Sequence, residues 1–159
     1  MTNISFWRMD KALALAKHAA IKGEVPVGAL ILSKNRQIIA QAENQMVRSC
    51  NPAAHAEILA LQKAGQYLGQ TRLVGCTLVV TLEPCPMCAA AAMHYRVDRI
   101  VFGAYDPKGG GIEHGARIFS HRQSLHHPEI IGGVQEQCCQ RMLKTFFLAL
   151  RKQHSKFLT

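Results

Sequence analysis

Two thiols three residues apart and a histidine some thirty residues upstream are the part of this chain that can do chemistry. Cys85 and Cys88 lie in Thr81-Leu-Glu-Pro-Cys-Pro-Met-Cys88, just after an apolar β-branched run. His55 lies in Ala54-His-Ala-Glu57, with an acid two positions on. Zinc favours four-coordinate sites of thiolate and imidazole, and a catalytic site leaves one position to water. Two thiolates, a neutral imidazole and the dication sum to zero. No second Cys-x-x-Cys closes the set, which argues for an open site. Zinc lowers the pKa of coordinated water toward ~7. Glu57 is the acid within the motif placed to move protons beside that water. Glu83 precedes Pro84 and reads as structural. These residues fit a hydrolase acting on an amino-substituted heterocycle and do not choose between cytosine, adenine and guanine.

Such a site needs Cys85 and Cys88 at a helix start, where unpaired backbone N–H groups favour thiolate. Residues two apart in a helix point to nearly opposite sides. His55 and Glu57 therefore converge on one metal only if His55 is near a helix entrance. Asn51-Pro52 reads as the cap and first turn of that helix, which runs to about Ala64 with Gly65 as its stop. His114, His121, His126 and His127 are rival ligands, but they fall in an irregular stretch and read as loop residues near RNA. Cys50, Cys76, Cys138 and Cys139 read as small buried hydrophobes.

The rest of the chain alternates strand and helix. A first helix covers Phe6 to Lys22, capped by Ser5 and ended by Gly23. Val27 to Leu32 and Ile38 to Ala42 form a hairpin across a polar turn, Ser33 to Gln37. Thr77 to Leu82 and Arg99 to Ala104 are buried strands around a helix from Pro84 to Tyr95. Gly109 to Gly111 breaks regular structure. Ile112 to Pro128 is loop with one short helix around Arg117 to Leu125, and Glu129 to Val134 is a short last strand. A basic amphipathic helix at about 135–153 closes the chain, with Cys138, Cys139, Met142, Leu143, Phe146, Phe147 and Leu150 apolar. The alternation predicts one α/β domain over 1–159, with helices on the sheet faces.

Composition narrows the partners. A net charge of +9 over 159 residues favours a polyanion, and nucleic acid is the first candidate. No stretch approaches the ~18 apolar residues of a membrane span, and the start lacks the apolar core of a secretory signal. A reducing cytoplasm follows, with the cysteines as thiols or ligands.

The order His-x-Glu…Pro-Cys-x-x-Cys is the signature of zinc base deaminases. Together with Gly23-Glu-Val-Pro-Val-Gly-Ala29, Ala54-His-Ala-Glu-Ile-Leu-Ala-Leu61, Ile100-Val-Phe-Gly-Ala104 and Asp106-Pro-Lys-Gly-Gly110, the chain resembles the bacterial tRNA-specific adenosine deaminases over nearly its whole length. The resemblance implies a three-layer α/β/α cytidine-deaminase-like fold with a central mixed sheet of about five strands. It implies a homodimer, one Zn2+ per subunit, and conversion of adenosine to inosine at the wobble position of a tRNA anticodon stem-loop, typically of an arginine tRNA. By position His55, Cys85 and Cys88 match the zinc ligands and Glu57 the proton shuttle. Asn44 falls where the family contacts the base, Asp106 where it faces the RNA backbone, and Ala56 is placed with them on the substrate side. Asn51 replaces an aspartate, and Tyr105 replaces a residue that is often polar or charged, which implies altered stacking on RNA. A deaminase of a free base or nucleoside would explain the zinc motif but leave the positive charge idle. A zinc-stabilised RNA-binding module would have no need of Glu57.

Overall fold

Apolar side chains alternate between two faces along each strand, and both faces are covered. In the computed structural model, which describes residues 7–156, Leu30, Leu32, Val79 and Val101 pack with Met9, Ala12 and Cys139 on one side. Ala29, Ile31, Leu78, Val80, Ile100 and Phe102 pack with Ala56, Ala60, Leu61, Ala89 and Ala92 on the other. Each such leucine, isoleucine or phenylalanine contributes about 1.5–3 kcal/mol by leaving water.

The strands are β1 (Gly28–Leu32), β2 (Ile38–Glu43), β3 (Thr77–Leu82), β4 (Arg99–Ala104) and β5 (Glu129–Ile131), in the order β2-β1-β3-β4-β5. The β1 strand is antiparallel to β2 and β3, whereas β3, β4 and β5 are parallel. Helices α1 (Met9–Ile21) and α4 (Glu136–Lys156) lie on one face, and α2 (Ala56–Leu68) and α3 (Pro86–His94) on the other. This is the three-layer α/β/α arrangement with a five-strand mixed sheet that the sequence implies. A Cβ at Gly28 would meet the main chain of Ala12 and Ala16, so α1 sits directly on β1. No helix among the described residues is long and apolar enough to cross a membrane.

Four expectations need correction. The second helix begins at Ala56, not at Asn51-Pro52. Asn51 Oδ1 accepts the Ala53 N–H at 2.9 Å, so the capping chemistry makes a turn before the helix. Gly65 lies inside α2, where a Cβ would press on the Gln70 carbonyl and the Tyr95 ring, and the helix ends at Gly69 with φ 63°. The expected helix at Arg117 to Leu125 shrinks to one 3-10 turn, Ile118–Ser120, entered through Arg117 at φ 43°. Helix α1 starts at Met9 after Arg8, while the proposed cap Ser5 and Phe6 lie outside the described residues. Of the apolar face of α4 only Cys139 is buried. Cys50 and Cys138 are exposed, contrary to expectation, and Cys76 and Cys139 are buried. Burial pushes the Cys139 thiol up to about 12.

One end of the sheet gathers the chain segments that matter. Register places Gly28 beside Glu43, Ala29 beside Val80, and Leu82 beside Ala104. The entrance to β1 and the exits of β2, β3 and β4 therefore meet at one edge. A crevice beyond the carboxyl ends of strands is where open α/β sheets place ligands.

Candidate metal centre and active site

His55 is the residue that caps α2, with extended backbone (φ −73°, ψ 149°). Cys85 holds the same place at α3 (φ −66°, ψ 169°), with Pro86 next and Cys88 in the first turn. Two helix N-termini thus point at one spot, and their partial positive charge favours thiolate there. His55 Nδ1 lies 3.6 Å from Cys85 Sγ and 3.5 Å from Cys88 Sγ. The three ligand atoms all lie within 4.8 Å of one another. Ordinary Zn–S and Zn–N bonds at the tetrahedral angle put sulfur and nitrogen about 3.5 Å apart. The donor set and its spacing therefore fit zinc, with a fourth position left open.

The protons of the cluster agree with that fit. A hydrogen bond from the Cys88 thiol, with further help from His55, holds Cys85 down to about 4. The same bond pushes Cys88 up, together with burial. One proton is shared between two sulfurs, and a dication would displace it. The His55 imidazole is raised, first by its bond to Cys85, with the nearby Pro52 carbonyl adding to the effect. Such a carbonyl fixes the orientation of a ligating histidine.

Glu57 stands in the first turn of α2 with only 4% of its surface exposed. Burial pushes its carboxyl up to about 7, with the nearby Cys85 adding to the effect. Its side chain meets that of Cys88. A carboxyl that titrates near neutrality can both take and give a proton.

These groups open into a cavity of about 220 Å³. Asn44, Met46, His55, Glu57, Cys85 and Asp106 line it. Asn44 is 5% exposed, and its Oδ1 has no hydrogen-bond partner among the described residues. A buried polar atom without a partner is costly, and one facing a cavity is relieved by a ligand. Asp106 Oδ1 accepts the N–H groups of Lys108 (3.2 Å) and Gly109 (2.9 Å) and shapes its own turn. The methyl of Ala56 is fully buried in the core and does not line the cavity. A larger groove of about 740 Å³ at the other end of α2 is lined by amides, His94 and Tyr95, with no acid or thiol.

Three of the four rival histidines are engaged elsewhere, and His127 is exposed. His121 Nε2 meets the Ala116 carbonyl and His126 Nε2 the Val97 carbonyl, each at 2.6 Å. His114 Nδ1 donates to Glu83 Oε1 at 2.8 Å. The half-buried Tyr105 ring packs edge-on against Phe102 (5.0 Å) and His114 (5.9 Å).

Two buried acids hold the cavity walls. Glu24, 1% exposed, accepts the N–H groups of Val47 (3.1 Å) and Arg48 (2.7 Å) and fixes the loop carrying Asn44 and Met46. The sequence reading passed over it, although an acid inside the apolar run Gly23-Glu-Val-Pro-Val-Gly28 marks a charge that must be satisfied internally. Glu83 does the same for the opposite wall, so its structural reading holds. Burial raises the Glu83 carboxyl, but the His114 bond and backbone N–H groups outweigh that and leave it below the usual range.

Known proteins are similar in sequence and fold. Residues 3–104 match the cytidine and deoxycytidylate deaminase zinc-binding region. The chain is 46% identical over 145 residues to the tRNA-specific adenosine deaminase of Bacillus subtilis, covering 91% of this chain and 89% of that one. It superimposes with TM-score 0.83 and 41% identity on a structure from a study of A-to-I editing by tRNA:A34 deaminases at the wobble position of transfer RNA, over 85% of this chain and 97% of that one. A guanine deaminase from Nitrosomonas europaea, 23% identical with TM-score 0.75 over 87% of this chain and 82% of that one, shares the fold. The chain belongs to the cytidine and deoxycytidylate deaminase family, among the tRNA-specific adenosine deaminases.

Proposed function

We propose that the chain hydrolyses the adenosine at the wobble position of a tRNA anticodon loop to inosine, releasing ammonia. The observation that carries this reading is a buried carboxyl, Glu57, beside a three-ligand His-Cys-Cys cluster at the floor of a cavity.

His55, Cys85 and Cys88 would hold one zinc per subunit, and zinc there supplies a nucleophilic water at neutral pH. Glu57 takes one proton from the attacking water and delivers it to the ring nitrogen; it then takes the second from the hydroxyl now on the attacked carbon and passes it to the amine, so that the C–N bond breaks as the carbonyl forms and ammonia leaves. It is the acid for this work because the others in the cavity wall are committed. Glu83 is saturated by five donors, and Asp106 is bonded to its own turn. Asn44, through its unpaired Oδ1, orients the base; Asp106 lies at the mouth against the RNA backbone.

A single-stranded loop suits such a site, because an unstacked base enters a pocket at little cost. Arg141, Lys144, Arg151, Lys152 and Lys156 on the exposed side of α4 supply positive charge for phosphates. We further propose an arginine tRNA as substrate, a homodimer and a cytoplasmic home. Exposed apolar side chains such as Tyr67, Val74 and Leu125 give a second copy surface to bury.

The test is deamination of an anticodon stem-loop RNA with adenosine at the wobble position, beside free nucleosides and bases. Inosine in the stem-loop alone is the expected result. Turnover of free guanine or cytosine with none of the RNA would overturn the substrate while keeping the zinc chemistry.

A further inference from the structure

Glu83 is fully buried, and two oxygens receive five donors. Oε1 accepts the Asp106 N–H (3.2 Å) and His114 Nδ1 (2.8 Å). Oε2 accepts the N–H groups of Ile112 (3.3 Å), Glu113 (3.1 Å) and His114 (3.1 Å). A carboxylate has about four lone-pair sites, so none is left for substrate. The segment 106–114 is thus wrapped around one negative charge. Gly110 shows how closely: a Cβ there would run into Glu83 Oε2.

Four of the five donors are main-chain groups, available to many sequences. The fifth is a side chain. His114 must carry its proton on Nδ1 to face an ionised carboxylate, and its ring rests edge-on against Tyr105, which rests on Phe102 of β4. Phe102, Tyr105, His114 and Glu83 therefore tie the loop to the sheet and to the segment that carries the cysteines. Asp106 and Gly109 belong to this loop and line the cavity, whereas His114 does not.

We infer that His114 is a positioning residue of the site: by donating to Glu83 it sets the 106–114 loop so that Asp106 and Gly109 form the wall facing the target nucleotide. The inference rests on the function proposed above, and its test separates the two. His114→Phe keeps a ring against Tyr105 and removes the donor. His114→Asn removes the ring and places an amide N–H near the position of Nδ1. Loss of one charge-assisted hydrogen bond should cost about tenfold.

The first readout is amide hydrogen exchange of the zinc-loaded protein without RNA. Exchange at Asp106, Ile112 and Glu113 should quicken about tenfold in His114→Phe and return to within about threefold in His114→Asn. The second is steady-state kinetics on the stem-loop RNA. KM should rise about tenfold in His114→Phe with kcat within about threefold and zinc content unchanged. In an Asp106→Ala background the same substitution should add less than about threefold, because the two act as one unit. Unchanged exchange, equal losses in the Phe and Asn variants, or full additivity with Asp106→Ala overturns the inference. A wild-type chain inert on the RNA, with exchange responding as stated, overturns the functional reading and supports the clamp.

Discussion

Replacing Glu57 by glutamine should stabilise the metal-free protein while abolishing turnover. The folded carboxyl titrates at about 7, against an ordinary 4.5. The folded state therefore holds this proton more tightly than the unfolded state. Its contribution to stability is full below about 4.5 and is lost as pH rises through about 7. A gap of about 2.5 pH units at about 1.4 kcal/mol each gives about 3.5 kcal/mol, of which about 3 falls between pH 4.5 and 8. Glutamine has the same shape and no charge to bury, so it escapes this loss. The assay is urea unfolding of chelator-treated protein between pH 4.5 and 8, followed by Trp7, the sole tryptophan and 5% exposed. The stability difference, variant minus wild type, should grow by about 3 kcal/mol across that range. Parallel curves would refute the buried, proton-holding Glu57. Turnover of stem-loop RNA should fall by several orders of magnitude in the same variant, with zinc retained.

Four further outcomes follow from the same geometry. Cys88→Ala should lose zinc, and a normal zinc content by atomic absorption would remove it from the ligand set. Asn44→Ala should cut kcat/KM for RNA by about tenfold or more with zinc unchanged, since it removes a buried polar contact to the base; equal kinetics would mean that Asn44 meets no substrate. Trimming after Leu150 removes Arg151, Lys152 and Lys156, so the salt dependence of RNA binding should flatten by about two to three in slope; an unchanged slope places the phosphate contacts elsewhere. Gly28→Ala should destabilise by about 2–3 kcal/mol because a Cβ there meets helix main chain that cannot swing aside. Denaturation that shows no loss would mean that α1 can shift off β1.

Where periodicity and hard chemical constraints acted together, sequence and structure agree. Thr77–Leu82 and Arg99–Ala104 are continuous apolar runs because both faces of the sheet are covered. The cluster was legible because zinc chemistry restricts which residues serve and how close they must come. His55 and Glu57 had to sit at a helix entrance, and they do, although the helix begins later than Asn51-Pro52 suggested. That error has a physical source: an Asn side chain bonded to an N–H two residues on is the same local chemistry in a turn and at a cap.

Long-range partners were not legible. Gly65 reads as a helix stop until Tyr95 and Gln70 are seen against it. Glu24 and Glu83 look alike in sequence, yet each holds the main chain of a different loop, and no periodicity announces which N–H groups will converge on it. The segment from Ile112 to Pro128 takes its shape from tertiary bonds, Glu83 at one end and Val97 to His126 at the other, so local propensity had little to decide. The apolar stripe of α4 was correctly seen, but amphipathicity does not say whether a stripe is covered, and Phe147 and Leu150 are 39% and 38% exposed.

The most direct test incubates the zinc-loaded wild-type chain and its Glu57→Gln variant with stem-loop RNA bearing adenosine at the wobble position, and quantifies inosine after nucleoside digestion. Inosine from the wild type at that one position, and none from the variant, is what the site requires. Equal inosine from both, or none from the wild type alongside turnover of a free base, would contradict it.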